Sequence, residues 1–314
     1  MDLYNSYNRY LKKAFGTRVR KVMVDAGFSC PNIDGKIDTK GCIFCNNSAF
    51  SGYYADSGIS IEQQIEHQLN KDKSQDVQYL AYFQPYTNTY GEPEKLYDIY
   101  SRIKPYNQIK GMIIGTRPDE IDDKKLSMIK SFIDEGYYVS IELGVQTFKD
   151  ETLLFINRGH LSDSIFNAAE MIKRYNIDLG AHIILGFPAE EEADNIDTAR
   201  LISKAGFNIV KIHHLQVFSN TRLYSLYQYG IVGVMTMEDY LNRLITFLEH
   251  LSPDIVISRL YAEARDDMLI APRWNISKDE FLRLLNLEFA KRKTYQGKYY
   301  KRFNKDCLVN KIAI

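Results

Sequence analysis

The chain has 314 residues, 45% hydrophobic and 25% charged, an ordinary globular composition with ample material for a buried core. Forty basic residues balance forty acidic ones, so no global field selects nucleic acid over another partner. No apolar run approaches the roughly 20 residues of a membrane span and the first residues lack a signal-peptide stretch, so a soluble cytoplasmic protein with no membrane partner is expected.

Seven apolar stretches read as strands: residues 19–26, 77–83, 109–115, 137–145, 177–186, 207–217 and 254–260. Between most of them lie amphipathic helical patterns, at 61–69, 124–135, 164–175, 194–205 and 237–251. This alternation predicts an α/β fold of βα units, and the near-continuous apolarity of the strands predicts a parallel sheet covered on both faces. Six or seven repeats fit a barrel-like or a doubly wound sheet, and both gather ligands at the carboxyl ends of the strands. The segments following the strands are polar and glycine-rich. They include Gly27-Phe28-Ser29-Cys30, Gln84-Pro85-Tyr86-Thr87-Asn88, Gly115-Thr116-Arg117-Pro118, Gly144-Val145-Gln146, Gly186-Phe187-Pro188 and Gln216-Val217-Phe218. One shared site at that rim would account for all of them.

Composition shifts near Leu287, which divides the chain into a domain of residues 1–286 and a basic, aromatic C-terminal extension of residues 287–314. From residue 291 to 305, seven of fifteen residues are Lys or Arg, interleaved with Tyr295, Tyr299, Tyr300 and Phe303. Such a segment suits structured RNA, because cations neutralise phosphates and rings stack on bases, but a charge run is also commonly a solvated face. Arg9, Lys12, Lys13, Arg18, Arg20 and Lys21 would extend the same surface if the chain ends meet.

Three of the four cysteines, Cys30, Cys42 and Cys45, fall within sixteen residues, while Cys307 stands alone without an assigned role. A disulfide scaffold is not spaced this way, and clustered thiols in a reducing compartment are more often metal or cluster ligands. Three thiolates on one loop can hold three irons of a cubane and leave the fourth iron open. The spacing also leaves open a zinc site completed from afar, since none of the six histidines lies within twenty residues of these cysteines, and plain buried cysteines.

The run Asp25-Ala26-Gly27-Phe28-Ser29-Cys30-Pro31-Asn32, with Gly41-Cys42-Ile43-Phe44-Cys45-Asn46-Asn47, resembles the cluster loop of radical S-adenosylmethionine (radical SAM) enzymes. Its long first spacer is similar to that of the subgroup near the Elongator catalytic subunit, and in particular to a stand-alone bacterial family that processes carboxymethylaminomethyl-uridine in tRNA. Glu142-Leu143-Gly144-Val145-Gln146-Thr147, then Asn157-Arg158-Gly159-His160, and His182-Ile183-Ile184-Leu185-Gly186-Phe187-Pro188 resemble later blocks of that subgroup.

The resemblance implies a partial (βα)6 TIM-like barrel with a C-terminal extension. It implies a [4Fe-4S] cluster on Cys30, Cys42 and Cys45, with S-adenosylmethionine at the open iron. Phe44 precedes the last cysteine, as in the family. Gln84, Thr87 and Asn88 stand where the family carries Gly-Gly-Glu. Glu142 and Gln146, four apart on one face of an extended segment, would reach the ribose hydroxyls and amino group, and Arg158 the methionine carboxylate. Ile183 and Gly186 would lie along the adenine, with Thr116, Arg117 and Gln216 completing the cofactor-binding rim. Thr116-Arg117-Pro118 equally fits a strand-to-helix turn, and Glu142 a salt-bridged barrel carboxylate. Trp274 reads as packing, and no metal role is read for His160, His213 or His214. The implied function is a radical reaction on a tRNA wobble uridine, with a flavodoxin or ferredoxin as reductant. The acetyltransferase domain that the Elongator subunit carries after its radical core is not expected here, and with it no acetyl-coenzyme A reaction. Radical chemistry on a small molecule, as in coproporphyrinogen enzymes, and a zinc or RNA-binding module are the other readings.

Overall fold

Apolar, β-branched segments of seven to nine residues form the first five strands, which lie side by side in chain order. In a computed structural model, which describes residues 3–46, 58–72, 74, 76–264 and 267–301, they are β1 (Arg18–Val24), β2 (Val77–Phe83), β3 (Ile109–Thr116), β4 (Tyr138–Gln146) and β5 (Asp178–Leu185). Then follow β6 (Ile209–His214), a short β7 (Val217–Phe218), β8 (Val256–Arg259) and β9 (Leu269–Ala271). The main sheet has the order β1-β2-β3-β4-β5-β6-β8 and every neighbouring pair is parallel. It curls into the expected partial TIM-like barrel, with β8 as a seventh strand. β7 and β9 form a separate antiparallel pair.

The helices are α1 (Tyr7–Phe15), α2 (Ile61–Lys71), α3 (Pro93–Ser101), α4 (Asp123–Asp134), α5 (Asp150–Phe155) and α6 (Ser162–Arg174). They continue with α7 (Glu192–Ala205), α8 (Arg222–Gln228), α9 (Met237–His250) and α10 (Lys278–Arg292). Side chains cap several starts: Ser60 forms a capping box with Gln63 on α2, and Asp122, Thr236 and Ser277 accept from the first turns of α4, α9 and α10. The large core lies between the sheet and its surrounding helices. A smaller one lies inside the curl, where Tyr7 and Leu11 of α1 pack on Leu80, Tyr82, Ile113, Ile209 and Val256. α1 thereby plugs the barrel at the amino ends of the strands.

The boundary expected at residues 286 and 287 falls inside α10. Phe281, Leu285 and Phe289, four apart, bury one stripe of that helix, so it runs on across the compositional shift. After α10 the chain returns to the same end of the barrel as α1. Gln296 donates to the carbonyls of Ser252 and Ile255 at 2.7 and 2.8 Å and accepts from Asn5 N at 2.9 Å, while Tyr299 N donates to Glu249 O at 2.8 Å. Among the described residues, the segments before α1 and after α10 meet at the end away from the carboxyl rim, while Lys21 of the first basic cluster turns into the lumen toward Glu142. Residues 302–314, with Cys307 and Phe303, lie outside the described residues. Among the described residues no helix is long and apolar enough to cross a membrane.

Candidate functional site

The loops after the strands converge on a cavity of about 210 Å³ at the carboxyl rim. Cys30 follows β1, Gln84 and Thr87 follow β2, Thr116 and Arg117 end β3, Gln146 ends β4 and Gln216 follows β6; all line the cavity together with Cys42, Phe44, Cys45, Glu142 and Arg158. Twelve of the fifteen expected site residues thus share one space.

The cysteine loop is folded by its own backbone. Ile33 N donates to Cys30 O at 2.9 Å, Ile37 N to Pro31 O at 2.8 Å and Gly41 N to Asn32 O at 2.7 Å. Gly41 sits at φ +66°, in the left-handed region that glycine adopts without penalty. The loop is tied to the rest of the rim by Ile43 N donating to Ile156 O, Asn157 Nδ2 to Gly41 O, and Arg222 to the same carbonyl. Phe44 packs against Phe187, with ring centroids 5.9 Å apart.

Two nitrogen donors point at one thiol: Asn32 Nδ2 and Arg158 Nη1 each lie 3.6 Å from Cys42 Sγ. Arg158 also donates Nη2 to Gly144 O at 2.6 Å. A Cβ on Gly144 would come within 2.8 Å of that Nη2 and 2.9 Å of Gln146 Nε2, so glycine makes room for both side chains. Arg117 holds Asp119 through two bonds of 2.9 and 2.7 Å and donates to Arg158 O. Burial works against its charge, but Asp119, followed by Cys30 and Cys42, raises its pKa above the ordinary arginine value. His160, beside them, is held neutral by burial and by Arg158, with its pKa pushed down to about 3. Thr87 Oγ1, Gln216 Oε1, Arg117 Nη1 and Arg158 Nε are buried without a hydrogen-bond partner in the protein. Orphaned buried polar atoms are costly, so four of them around one cavity point to a polar ligand.

Below this rim the lumen is charged. Glu142 Oε2 accepts from Tyr82 Oη at 2.5 Å and lies 2.9 Å from His182 Nε2; Lys211 Nζ is 3.8 Å away and donates to Tyr82 Oη at 2.8 Å. Lys21 Nζ stands 3.5 Å from Glu142 Oε1. Burial alone would raise the Glu142 pKa, but Lys21, Lys211 and His182 hold it well below the carboxylate range. Burial, then Lys211, pushes His182 down to about 4. Glu142 therefore lines the cavity as a paired barrel carboxylate.

Three expected residues stand off the cavity. Ile183 is fully buried in the core facing the helices, because β5 alternates and turns His182 and Ile184 inward instead. Gly186, at φ +101°, faces Met235 in a second, neighbouring pocket. Asn88 is fully buried and bonds Pro85 O and Gly115 O, fixing the loop that presents Thr87. Conversely Tyr82, His182, Lys211, His213 and Arg259 line the cavity and were not anticipated. The signal for Lys211 was present: a lysine inside an apolar strand is as costly as Glu142, and it shares parity with His213.

The Radical SAM superfamily model matches residues 39–202, and the Radical_SAM C-terminal domain model matches residues 207–291. The chain belongs to the radical SAM superfamily. The first match begins after Cys30, so that cysteine and residues 31–38 of the long spacer lie outside it. Protein YtqA of Bacillus subtilis is 30% identical over 306 residues, covering 96% of this chain and 94% of its own. A tRNA uridine(34) acetyltransferase of Methanocaldococcus jannaschii is 28% identical over 122 residues, 38% of this chain and 22% of its own. Among solved structures, the archaeal Methanocaldococcus infernus Elp3 has the same fold, with a TM-score of 0.66 at 16% identity, covering 88% of this chain and 64% of that one.

Radical SAM enzymes use a [4Fe-4S] cluster and S-adenosylmethionine, and the residues present fit both. Three thiols face one cavity, two N–H donors address Cys42, and two buried arginines offset thiolate charge. Among the described residues, no three His, Cys, Asp or Glu side chains converge to hold a single ion; Cys307, which the zinc reading could also use, lies outside them.

Proposed function

We propose that this radical SAM enzyme acts in the cytoplasm on the carboxymethylaminomethyl side chain of a tRNA wobble uridine, with flavodoxin or ferredoxin as its reductant. The observation that carries the radical chemistry is the meeting of Cys30, Cys42 and Cys45 in one cavity with Asn32 and Arg158 on the Cys42 sulfur. In this reading those three cysteines hold the cluster. The orphaned polar atoms of Thr87, Gln216, Arg117 and Arg158, with Gln84, Thr116 and Gln146, hold the polar groups of S-adenosylmethionine. When bound, the cofactor pair supplies a 5′-deoxyadenosyl radical. The chain's own residues line the cavity around it, with His160 and His182 held neutral by burial. The tRNA part is supported by the matched stretch of the tRNA uridine(34) acetyltransferase and by the Arg158-Gly159-His160 block. The described part of the basic, aromatic tail lies at the opposite end of the barrel, so RNA would be gripped at the rim instead.

The test is anaerobic reconstitution with iron and sulfide, reduction with dithionite, and assay of 5′-deoxyadenosine, comparing wild type with Cys42→Ala. Formation by wild type and its loss in the variant are expected, as is altered mobility of the modified uridine when knockout tRNA is added. Radical formation with every tRNA left unchanged would turn the reading toward a small-molecule substrate.

A further inference from the structure

The lumen floor holds more positive than negative charge. Lys21 and Lys211 stand 3.5 and 3.8 Å from Glu142 and Arg259 lines the same cavity, while the second carboxylate of the inner face, Asp178, lies nearer α1 and is bonded by Tyr10 and Tyr138; His182 and His213 are kept neutral by burial. Arg259, on the last strand of the sheet and paired in register with Lys211, lines the cavity and makes no hydrogen bond or ion pair among the described residues. Lys211 is buried at 4% exposure, and its amine is pushed well below its ordinary pKa by burial, with Arg259 and Lys21 adding to the effect and Glu142 opposing it. Cations crowded without enough anions are a standing cost that a bound anion relieves.

The place of this charge limits what the anion is. Glu142 and Lys211 stand two residues deeper than Gly144 and His213 on their strands, and α1 closes the lumen beneath them with Tyr7 and Leu11. With Lys211 buried at the foot of the cavity and α1 beneath it, a flexible group on an extruded base can reach these cations. A guanidinium reached by such a group pairs with a carboxylate through two parallel hydrogen bonds.

We propose that the barrel floor is a binding site for a carboxylate carried by the substrate, taken up by Arg259 and Lys211 at the foot of the cavity. The proposal rests on the tRNA reading for the identity of the substrate, but not for the site itself. The site orients the substrate by its charged end and leaves the methylene groups next to that end facing the cavity.

The probes are free 5-carboxymethylaminomethyluridine and an anticodon stem-loop bearing it, each beside the version whose carboxylate is converted to the amide. Binding to the full chain is measured by calorimetry for the nucleoside and by anisotropy for the stem-loop. Wild type is expected to prefer the carboxylate by about tenfold. Arg259→Gln and Lys211→Met should lose most of that preference while binding the amide as before. Arg259 is exposed, so its variant folds whatever Lys211→Met does. A carboxylate preference for the nucleoside without stem-loop binding keeps the anion site and removes the tRNA reading. Stem-loop binding with equal affinity for the amide removes the anion site and keeps the tRNA reading. A preference that survives both variants, or no binding of any probe, overturns the proposal.

Discussion

Arg158 reaches Cys42 Sγ at 3.6 Å with one guanidinium nitrogen and the Gly144 carbonyl at 2.6 Å with the other, so a single side chain ties the cysteine loop to the end of β4. A donor and a positive charge beside a cluster sulfur stabilise the reduced, more negative state. Arg158→Gln is therefore expected to keep iron content and fold but to shift the midpoint potential to more negative values. A redox titration followed by electron paramagnetic resonance would read this. A potential equal to wild type would reduce Arg158 to a strut.

Glu142 offers a second separation of roles. Its carboxylate balances Lys21 and Lys211 and bonds Tyr82 and His182. Glu142→Gln would leave a buried Lys211 unbalanced, and breaking a buried pair in this way costs about 3 kcal/mol. The loss is expected in protein without any cofactor, as a fall in the urea midpoint at pH 7. A midpoint equal to wild type would show that the floor does not depend on this charge and would return Glu142 to a role in ligand binding alone.

Gly144→Ala tests the geometry of the rim more gently. The added methyl would stand 2.8 Å from Arg158 Nη2 and 2.9 Å from Gln146 Nε2, both ends of side chains that can shift. Thermal stability should therefore change little. Affinity for S-adenosylmethionine in reconstituted protein should fall at least about tenfold, because displaced groups no longer meet their partners. Unchanged affinity would show that neither side chain needs its present position.

Strand order, the shared rim and the cysteine loop were legible because each has a local signature: apolar runs with βα spacing, polar glycine-rich segments after them, and three thiols within sixteen residues. Two-residue alternation places His182 and Ile184 inward with Glu142 and Lys211, whereas the side chain of Ile183 faces the helices. At residue 287 the compositional shift falls inside α10, where Phe289 continues the buried stripe of Phe281 and Leu285. The destination of the tail was unreadable for a different reason. It is set by Gln296 meeting Asn5, Ser252 and Ile255, long-range bonds that leave no pattern in neighbouring residues. Arg259 was missed because its importance lies in the charges of three other strands.

The last prediction concerns acid. His214 is 2% exposed and packed among rings, with centroids 4.1 Å from Trp274, 5.2 Å from Tyr240 and 5.6 Å from Tyr261, and its Nδ1 has no partner in the protein. Burial pushes its pKa from 6.5 down to about 3. The unfolded chain takes up this proton near pH 6.5 and the folded chain only near 3, so the unfolded state binds more protons throughout that window. Stability is therefore full above pH 6.5 and falls as pH is lowered through it. At pH 5 the loss from this one ring is about 2 kcal/mol, from 1.36 kcal/mol for each pH unit below 6.5. His160 and His182, also depressed, add to it in the same direction. His214→Phe keeps the aromatic packing and removes the titration. Urea unfolding at pH 7 and pH 5 should show a stability difference smaller by about 2 kcal/mol in the variant than in wild type. An identical difference in both would mean that His214 accepts its proton while folded, and that the ring cluster around Trp274 opens enough to admit water.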